Sequence, residues 1–344
     1  MGVMLCRDAR SSFWRCWAIL ICLIGLAIIV IANSRYALAQ DNDTKWPDHP
    51  VRFIVPFPAG SESDIIARIV AQKLTTELGQ PFVIDNRSGA SGVIGAEAIA
   101  RAKPDGYTIG LATNSTHAVA PSVDANLSYD PMTDFAPVSM IGSSPYVLLV
   151  NAAVPAQNVA ELIALAKAKP HALSCASVGP ASLAYLAGKL FSHLAGVELT
   201  DVPYRSSSQA VLDVAAGRIE MQFGTILPTL PFIRAGKLRA LAVTGTKRID
   251  ALPDVPTLQE VGLAGYEAVL WMAVVMPAAS PSSIVARLNR AMRNALATAD
   301  VAATLKAQEM QPELTTPDAL RERIRIEIAK WRSVAALTGV KAEP

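Results

Sequence analysis

Short apolar stretches alternate with amphipathic ones along most of this chain, and this alternation restricts the possible fold more than any other feature. The apolar run 51–57 precedes a helical pattern over 64–78, whose apolar residues recur every three or four positions. Strand patterns follow at 81–86 and 107–112, with a helical pattern near 93–102 between them. Such a strand–helix–strand order predicts an α/β fold in which helices cover a parallel sheet.

A second series of alternations begins in the middle of the chain. Strand patterns at 173–177, 198–204, 219–224 and 238–244 are separated by helical patterns. The last part of the chain differs, because one strong apolar strand, 269–276, is followed by long helices. These helices have no sheet of their own, so we expect them to return to the first series.

That return would make the chain cross twice between two lobes, near residues 144–149 and near 241–247. The predicted lobes are 40–147 together with 247–344, and 148–246. Two crossing segments form a hinge, and a ligand cleft is expected between the lobes. Three successive domains are an alternative, although the last segment has few strands with which to stand alone.

The first 39 residues have the layout of a secretory signal peptide. A start rich in arginine leads into an uninterrupted apolar run, 17–32, and then into the small-residue pattern at 37–39. This layout predicts export and cleavage after Ala39. The apolar run is shorter than the roughly 20 residues that span a bilayer as a helix. An uncleaved membrane anchor is the alternative.

Charge and cysteine content narrow the possible partners. Lysine and arginine number 31 against 29 aspartate and glutamate residues, a formal charge of +2. Nucleic-acid-binding surfaces usually show a strong basic excess, so we expect no nucleic acid partner.

After removal of the predicted signal peptide, Cys175 is the one cysteine that remains, which excludes an internal disulfide. Its apolar strand pattern predicts a buried thiol and not a nucleophile.

Five loops at the predicted carboxyl ends of strands are rich in small polar residues. In parallel α/β sheets ligands bind at these ends, where backbone N–H groups of helix starts attract anions. Loops of this kind on two lobes predict a site for a small carboxylate. They span 56–64, 86–92, 113–118, 176–182 and 204–210.

Two helices carry capping signals. Ser61 followed by Asp64 fits a capping box, so Asp64 is expected to have a structural role. Thr316 before a proline, with Gly339 at the other end, marks the limits of the final helix.

Several long strings identify a family resemblance. The string DNRSGASGVIGAEAIARAKPDGYTIGLATNSTH (85–117) is the most specific, and VPYR, AGKLRALAVTGTKR, LPDVPTLQEVGLAGYEA and AKWRSVAALTG extend it. Over essentially all of the chain after residue 39, the sequence resembles the Bug-type, TctC-like substrate-binding receptors of tripartite tricarboxylate transporters. The resemblance implies a two-lobe, periplasmic-binding-protein-like fold of the Venus-flytrap type. It also implies capture of a small carboxylate, an amino acid or a related compound without chemical change, and membrane transporter subunits as partners.

The loops and the resemblance together give a set of candidate ligand-binding residues. In the first lobe they are Phe57, Ala59, Gly60, Ser61, Asp64, Ser88, Ala90, Ser91, Thr113, Asn114, Ser115, Thr116 and His117. In the second lobe they are Ser177, Val178, Gly179, Ser182, Tyr204, Arg205, Ser206, Ser208 and Gly224.

Some candidates allow two interpretations. Arg205 could pair with a ligand carboxylate or lie solvated in a loop, and His117 could donate to a ligand or be a hydrogen-bonded structural residue. Neutral Asn114, Ser115 and Thr116 suit a site that must also release its ligand.

The sequence also departs from the family pattern. The family favours glycines where this chain has Glu62, and a carboxylate there would repel an anionic ligand. We expect Glu62 to point to solvent, and the alternative is a ligand with a cationic or donor group. The family's usual His and Glu correspond to Tyr185 and Lys189, and its usual Asp to Gly224. These changes leave the ligand's identity open.

Enzyme motifs are absent from the sequence: it contains no GxSxG, HExxH, CxxC, P-loop or GxGxxG pattern. We therefore expect a receptor and not an enzyme, with no cofactor and no metal, acting as a monomer in the periplasm. A flytrap that presents its closed form to a membrane sensor kinase is a second hypothesis, and an extracytoplasmic enzyme is a third.

Overall fold

A computed structural model describes residues 45–307 and 309–340. The predicted signal peptide, 1–39, lies outside these residues. The compact unit that begins at His49 contains both sheets. Within the described ranges, no helix has the length and apolarity needed to cross a membrane.

Eleven strands are found in the described chain, and they form two sheets. In chain order they are β1 Val51–Val55, β2 Phe82–Asn86, β3 Thr108–Thr113, β4 Phe135–Pro145, β5 Val147–Asn151, β6 Ser174–Ser177, β7 Thr200–Pro203, β8 Met221–Gly224, β9 Leu238–Val243, β10 Val269–Pro277 and β11 Gln311–Pro312.

The helices lie between these strands and at the end of the chain. They are α1 Glu62–Leu78, α2 Val93–Ala100, α3 Ala120–Val123, α4 Val159–Ala168, α5 Leu183–Ala195, α6 Ser207–Ala215, α7 Leu230–Arg234, α8 Ser282–Leu296, α9 Ala299–Ala307 and α10 Pro317–Thr338. A π-helical turn, Ser115–Val119, and two 3₁₀ turns, Ala90–Gly92 and Leu227–Thr229, complete the described elements.

The first sheet has the strand order β11-β4-β10-β3-β1-β2. Strands β1, β2 and β3 are parallel, as the sequence predicts. Strand β10 runs antiparallel to both β3 and β4, so the sheet as a whole is mixed, a feature that the sequence does not predict. The reason is that β10 is supplied by the returning chain, which enters the sheet from the opposite end.

The second sheet has the order β7-β6-β8-β5-β9 and is also mixed. Strands β6, β7 and β8 are parallel, whereas β5 runs antiparallel to β8 and β9. The core of this sheet contains Val147, Leu149 and Ala176, and helix α6 packs on it through Val211 and Val214. The two sheets with their helices confirm the predicted two-lobe α/β fold.

The chain passes between the sheets at two places. Only Tyr146 separates the end of β4 from the start of β5, and the return lies between β9 and β10. At the first passage Tyr146 N–H donates to Thr244 Oγ1, and Thr244 O–H lies 2.6 Å from the carbonyl oxygen of Ala268. The two passages are therefore hydrogen-bonded side by side.

The predicted limits of the lobes stay a prediction. Ile249 and Leu252, beyond the predicted limit at 246, are partly buried and still pack against the core of the second sheet.

The last helix carries the C-terminal segment back to the first sheet. Thr316 caps α10 by accepting from Ala319 N–H, and Gly339 ends it in the left-handed conformation, as predicted. The helix packs on β4 and on the π-helical turn, and it also contacts α5 beside the second sheet. Its buried face includes Leu320, Ile324 and Trp331.

Candidate functional site

The loop after β1 is braced from inside by Asp64, which is 2% exposed. Ser61 caps α1 by accepting from Asp64 N–H. The Asp64 carboxylate accepts from Gly60 N–H, from Arg68 Nε and from Asn86 Nδ2, each at 2.9 Å. Burial alone would raise the pKa of Asp64, but these hydrogen bonds outweigh burial and hold the pKa below its usual value. The expected structural role of Asp64 agrees with this geometry.

The loop that follows β2 has an unusual backbone. Gly89, Ala90, Ser91 and Gly92 have φ angles of 136°, 46°, 53° and 99°. Alanine and serine adopt such angles only at a cost of roughly 1 kcal/mol each. A Cβ added at Gly92 would lie 2.7 Å from Thr116 Cγ2 and 3.2 Å from Phe57 Cζ, so the three first-sheet loops pack closely together.

The segment after β3 is almost completely buried. Thr116 Oγ1 accepts from Thr113 N–H, and its hydroxyl also lies 2.9 Å from His117 Nδ1. Asn114 Nδ2 donates to the carbonyl oxygen of Val269 in β10 at 2.7 Å. Because a carbonyl oxygen only accepts, this contact fixes the amide orientation, and Asn114 Oδ1 is left buried without a partner in the described chain.

His117 is packed among aromatic rings. Its ring centroid lies 4.4 Å from that of Phe135 and 6.4 Å from that of Tyr129, and the residue is 0% exposed. Burial lowers the pKa of His117 to about 3, so the imidazole is neutral at physiological pH. The ring contacts and the Thr116 hydroxyl favour the structural interpretation of His117, whereas its Nε2 is buried without a partner in the described chain, so both interpretations stay open.

The loops of the second sheet are organised by the start of α5. Ser182 caps this helix by accepting from Tyr185 N–H, and its hydroxyl donates to the carbonyl oxygen of Gly179 at 2.7 Å. Gly179 N–H lies 3.3 Å from Ser177 Oγ. The hydroxyls of Ser177 and Ser182 thus hold the loop 177–182 in one conformation.

Two hydrogen bonds join the loops of the two sheets. The Ser91 hydroxyl donates to the carbonyl oxygen of Val178 at 2.8 Å, and Leu183 N–H donates to Ser115 Oγ at 3.3 Å. The strand-end loops of both sheets therefore face each other, as expected for a cleft between them.

Other candidates in the second sheet have different environments. The Tyr204 hydroxyl donates to Asp213 Oδ2 at 2.9 Å, and Asp213 also pairs with Arg218. Ser206 caps α6 by accepting from Gln209 N–H. Arg205, Ser208, and in the first lobe Ala59, Gly60, Ser88 and Ala90, are exposed.

The expectation that Glu62 points to solvent is wrong. Both carboxylate oxygens of Glu62 are buried, and neither has a hydrogen-bond partner in the described part of the chain. Burial raises the pKa of Glu62 to about 7, although the nearby Thr225 hydroxyl opposes the shift. Thr225 directly follows β8, so the side chain at the start of α1 reaches the second sheet.

Gln222 is a residue that the sequence interpretation missed. It lies on β8, is 2% exposed, and its Nε2 has no partner among the described residues. A Cβ on Gly224 would lie 2.8 Å from this nitrogen, so the absence of a side chain at Gly224 leaves room for the Gln222 amide. The available signal was a polar residue between the apolar residues Met221 and Phe223 of the strand pattern 219–224.

A cavity of about 810 Å³ lies outside the predicted site, although its lining residue Tyr129 donates a hydrogen bond to the carbonyl oxygen of Thr116. It is bounded by the segment after α3 and by α10, with Asp124, Tyr129, Arg325 and Arg332 among its lining residues. None of the predicted ligand-binding residues lines it.

Known proteins are similar to this chain over most of its length. The sequence profile of the family described as "Tripartite tricarboxylate transporter family receptor" (TctC) matches residues 66–339. The chain belongs to this receptor family. The protein BugT of Bordetella pertussis, a relative of this receptor, is 37% identical over 320 residues, which cover 93% of this chain and 98% of BugT.

Solved structures are similar to this receptor over most of its length. One is the R. palustris protein Rpa4515 with adipate, 36% identical with a TM-score of 0.82, covering 86% of this chain and 99% of that protein. Another is the periplasmic binding protein BugD, 30% identical with a TM-score of 0.80, covering 87% of this chain and 100% of BugD.

Two of the residues at which this receptor departs from the family pattern lie together on α5. Lys189 Nζ is 5.2 Å from the ring centroid of Tyr185. Both line a small gap next to Cys175, which is buried as predicted. Burial raises the pKa of the Cys175 thiol to about 12, so the thiol is protonated at neutral pH.

Proposed function

We propose that this protein is a periplasmic receptor that captures a small organic carboxylate between its two sheets and delivers it unchanged to a tripartite tricarboxylate transporter. The observation that carries the proposal is the pair of hydrogen bonds between the sheets, from Ser91 to Val178 and from Leu183 to Ser115. They bring the strand-end loops together, where anions bind in α/β sheets.

The relatives support the ligand class and the location. Rpa4515 was solved with adipate, and BugD is described as a periplasmic binding protein. The layout of residues 1–39 agrees with export. Dicarboxylates, tricarboxylates, aromatic acids and acidic amino acids are the candidate ligands, and we propose that the protein acts as a monomer.

The proposed mechanism is a shift in population. A ligand that contacts the loops of both sheets stabilises the arrangement in which they meet, because it has less contact when they are apart. The lobes, with limits near 147 and 247, would turn about the paired passages at Tyr146 and Thr244. The membrane subunits would then recognise the closed form.

The test is a thermal-shift and calorimetric screen of the protein purified from the periplasm of an expression host. The panel contains succinate, adipate, citrate, benzoate and glutamate, with 1,6-hexanediol as the uncharged match of adipate. At least one acid should bind with 1:1 stoichiometry and add about 2.7 kcal/mol of stability at 100 times its Kd. Mass spectrometry should recover it unchanged, whereas indifference to every acid, or conversion of the bound acid, would refute the proposal.

A further inference from the structure

Several buried polar atoms without partners gather at the first passage between the sheets. Asn114 is bonded to Val269, which pairs with Pro145 at the end of β4. Beyond Tyr146, Val147 pairs with Gly224, over which the Gln222 amide lies. Asn114 and Gln222 therefore flank the segment 145–147 from the first and from the second sheet.

The Glu62 side chain also lies near the first passage between the sheets. Burial raises the pKa of the Tyr146 phenol, and the charge of the nearby Glu62 carboxylate raises it further, so Tyr146 stays neutral and supplies no positive charge. Thr225, one residue beyond Gly224, lies close enough to affect the pKa of Glu62.

No cation within the described ranges balances Glu62. Its oxygens have no partner there, and no lysine or arginine contributes to its pKa. Asp64 is the other carboxyl group on the first turn of α1, and it accepts hydrogen bonds from Gly60, Arg68 and Asn86. Burying a carboxylate without a donor is costly, so a donor is expected to arrive from elsewhere.

We propose that Glu62 selects ligands that carry an ammonium group next to a carboxylate, by accepting hydrogen bonds from that group between the two sheets. Asn114 Oδ1 is a second acceptor for the same group, and Gln222 Nε2 is a donor suited to the carboxylate. The inference rests on the proposed function, since it assumes that the ligand occupies the space between the sheets. It assigns selectivity to a residue at which this chain departs from the family pattern.

The test compares acids that differ only in the ammonium group. Calorimetry gives the Kd values of the pairs succinate and aspartate, glutarate and glutamate, and adipate and 2-aminoadipate, at pH 6 and pH 8. In the wild type, the ammonium-bearing member of at least one pair should bind at least tenfold more tightly at pH 8. Its affinity should rise from pH 6 to pH 8, as Glu62 loses its proton.

Glu62→Gln is the decisive variant, and Glu77→Gln at the exposed end of the same helix is its control. Glu62→Gln should reduce the preference for the ammonium-bearing acid at least tenfold at pH 8, and the plain diacid should bind at least as tightly as it does to the wild type, because the repelling charge is gone. Glu77→Gln should change neither. Circular dichroism and the melting temperature show that both variants fold.

Different failures have different meanings. If plain diacids bind and Glu62→Gln leaves the ratio of affinities unchanged, the inference is wrong and the receptor function stands. A second outcome would also overturn the inference. If the wild type binds plain diacids more tightly at pH 6 than at pH 8, and Glu62→Gln does not, then protonated Glu62 donates to a ligand carboxylate. If neither member of any pair binds, the inference is wrong, and the proposed function fails as well only if citrate and benzoate also do not bind.

Discussion

Single residues in the first-sheet loops combine structural and binding roles, and Asp64 is the clearest structural case. Three donors converge on its buried carboxylate. Because its pKa is lowered in the folded state, its contribution is fully present above about pH 4 and is lost as the pH falls through the folded pKa.

Asp64→Asn should therefore lower the free energy of unfolding by roughly 2 kcal/mol at pH 7 and by less at pH 3. Urea titrations at the two pH values measure this. Asp85→Asn removes the partner of a more exposed ion pair with Arg87 and should cost under about 1 kcal/mol. Equal effects of the two substitutions would argue against the bracing role of Asp64.

The buried carboxyl group of Glu62 should give the free energy of unfolding the opposite dependence on pH. Its folded pKa of about 7 lies above that of the unfolded chain, so stability is lost as the pH rises from about 4.5 to beyond 7. Glu62→Gln should raise the free energy of unfolding of the ligand-free protein by roughly 1 to 3 kcal/mol at pH 8 and change it little at pH 4. Chemical unfolding at both pH values tests this, and a destabilised variant at pH 8 would mean that the charge is satisfied.

The backbone of the loop 89–92 gives a third prediction at this scale. Ala90 is exposed with φ 46°, so Ala90→Gly should stabilise the protein by about 0.5 to 1 kcal/mol. The same change at exposed Ala164, within helix α4, should destabilise it by a similar amount. Thermal unfolding of both variants measures the difference in sign. Destabilisation by Ala90→Gly would show that the loop is not strained.

At the scale of elements, most helices and strands could be predicted because their signals are local. Caps at Ser61 and Thr316 and apolar periodicity are properties of neighbouring residues. The antiparallel insertion of β10 could not be predicted, since it depends on where the returning chain enters the sheet. For the same reason the burial of Glu62 could not be predicted, since it depends on how the start of α1 packs near Thr225, just after β8.

Helix caps give the prediction that belongs to this scale. Ser182→Ala and Thr316→Ala each remove one cap and should each cost about 1 kcal/mol of stability. Only Ser182→Ala should also weaken binding of the best carboxylate of the panel, because Ser182 lies in a loop of the proposed site. Calorimetry with both variants decides this, and equal loss of affinity would indicate a general effect of stability.

At the scale of the whole molecule, the two sheets and their paired passages follow from the alternation and the return of the chain. The contacts between the sheets depend on side chains far apart in sequence, such as Tyr266, whose hydroxyl donates to the carbonyl oxygen of Ala187 in α5. Such pairs have no signal in a single sequence. They are also the contacts that a ligand between the sheets would reinforce.

The central claim is that one carboxylate touches both sheets at once. A crystal structure of the protein with the acid that gives the largest thermal shift tests it most directly. The expected result is a ligand with hydrogen bonds both to the 88–92 or 113–117 loops and to the 177–183 loop. A ligand bound on one sheet alone, or in the cavity beside Arg325 and Arg332, would contradict it.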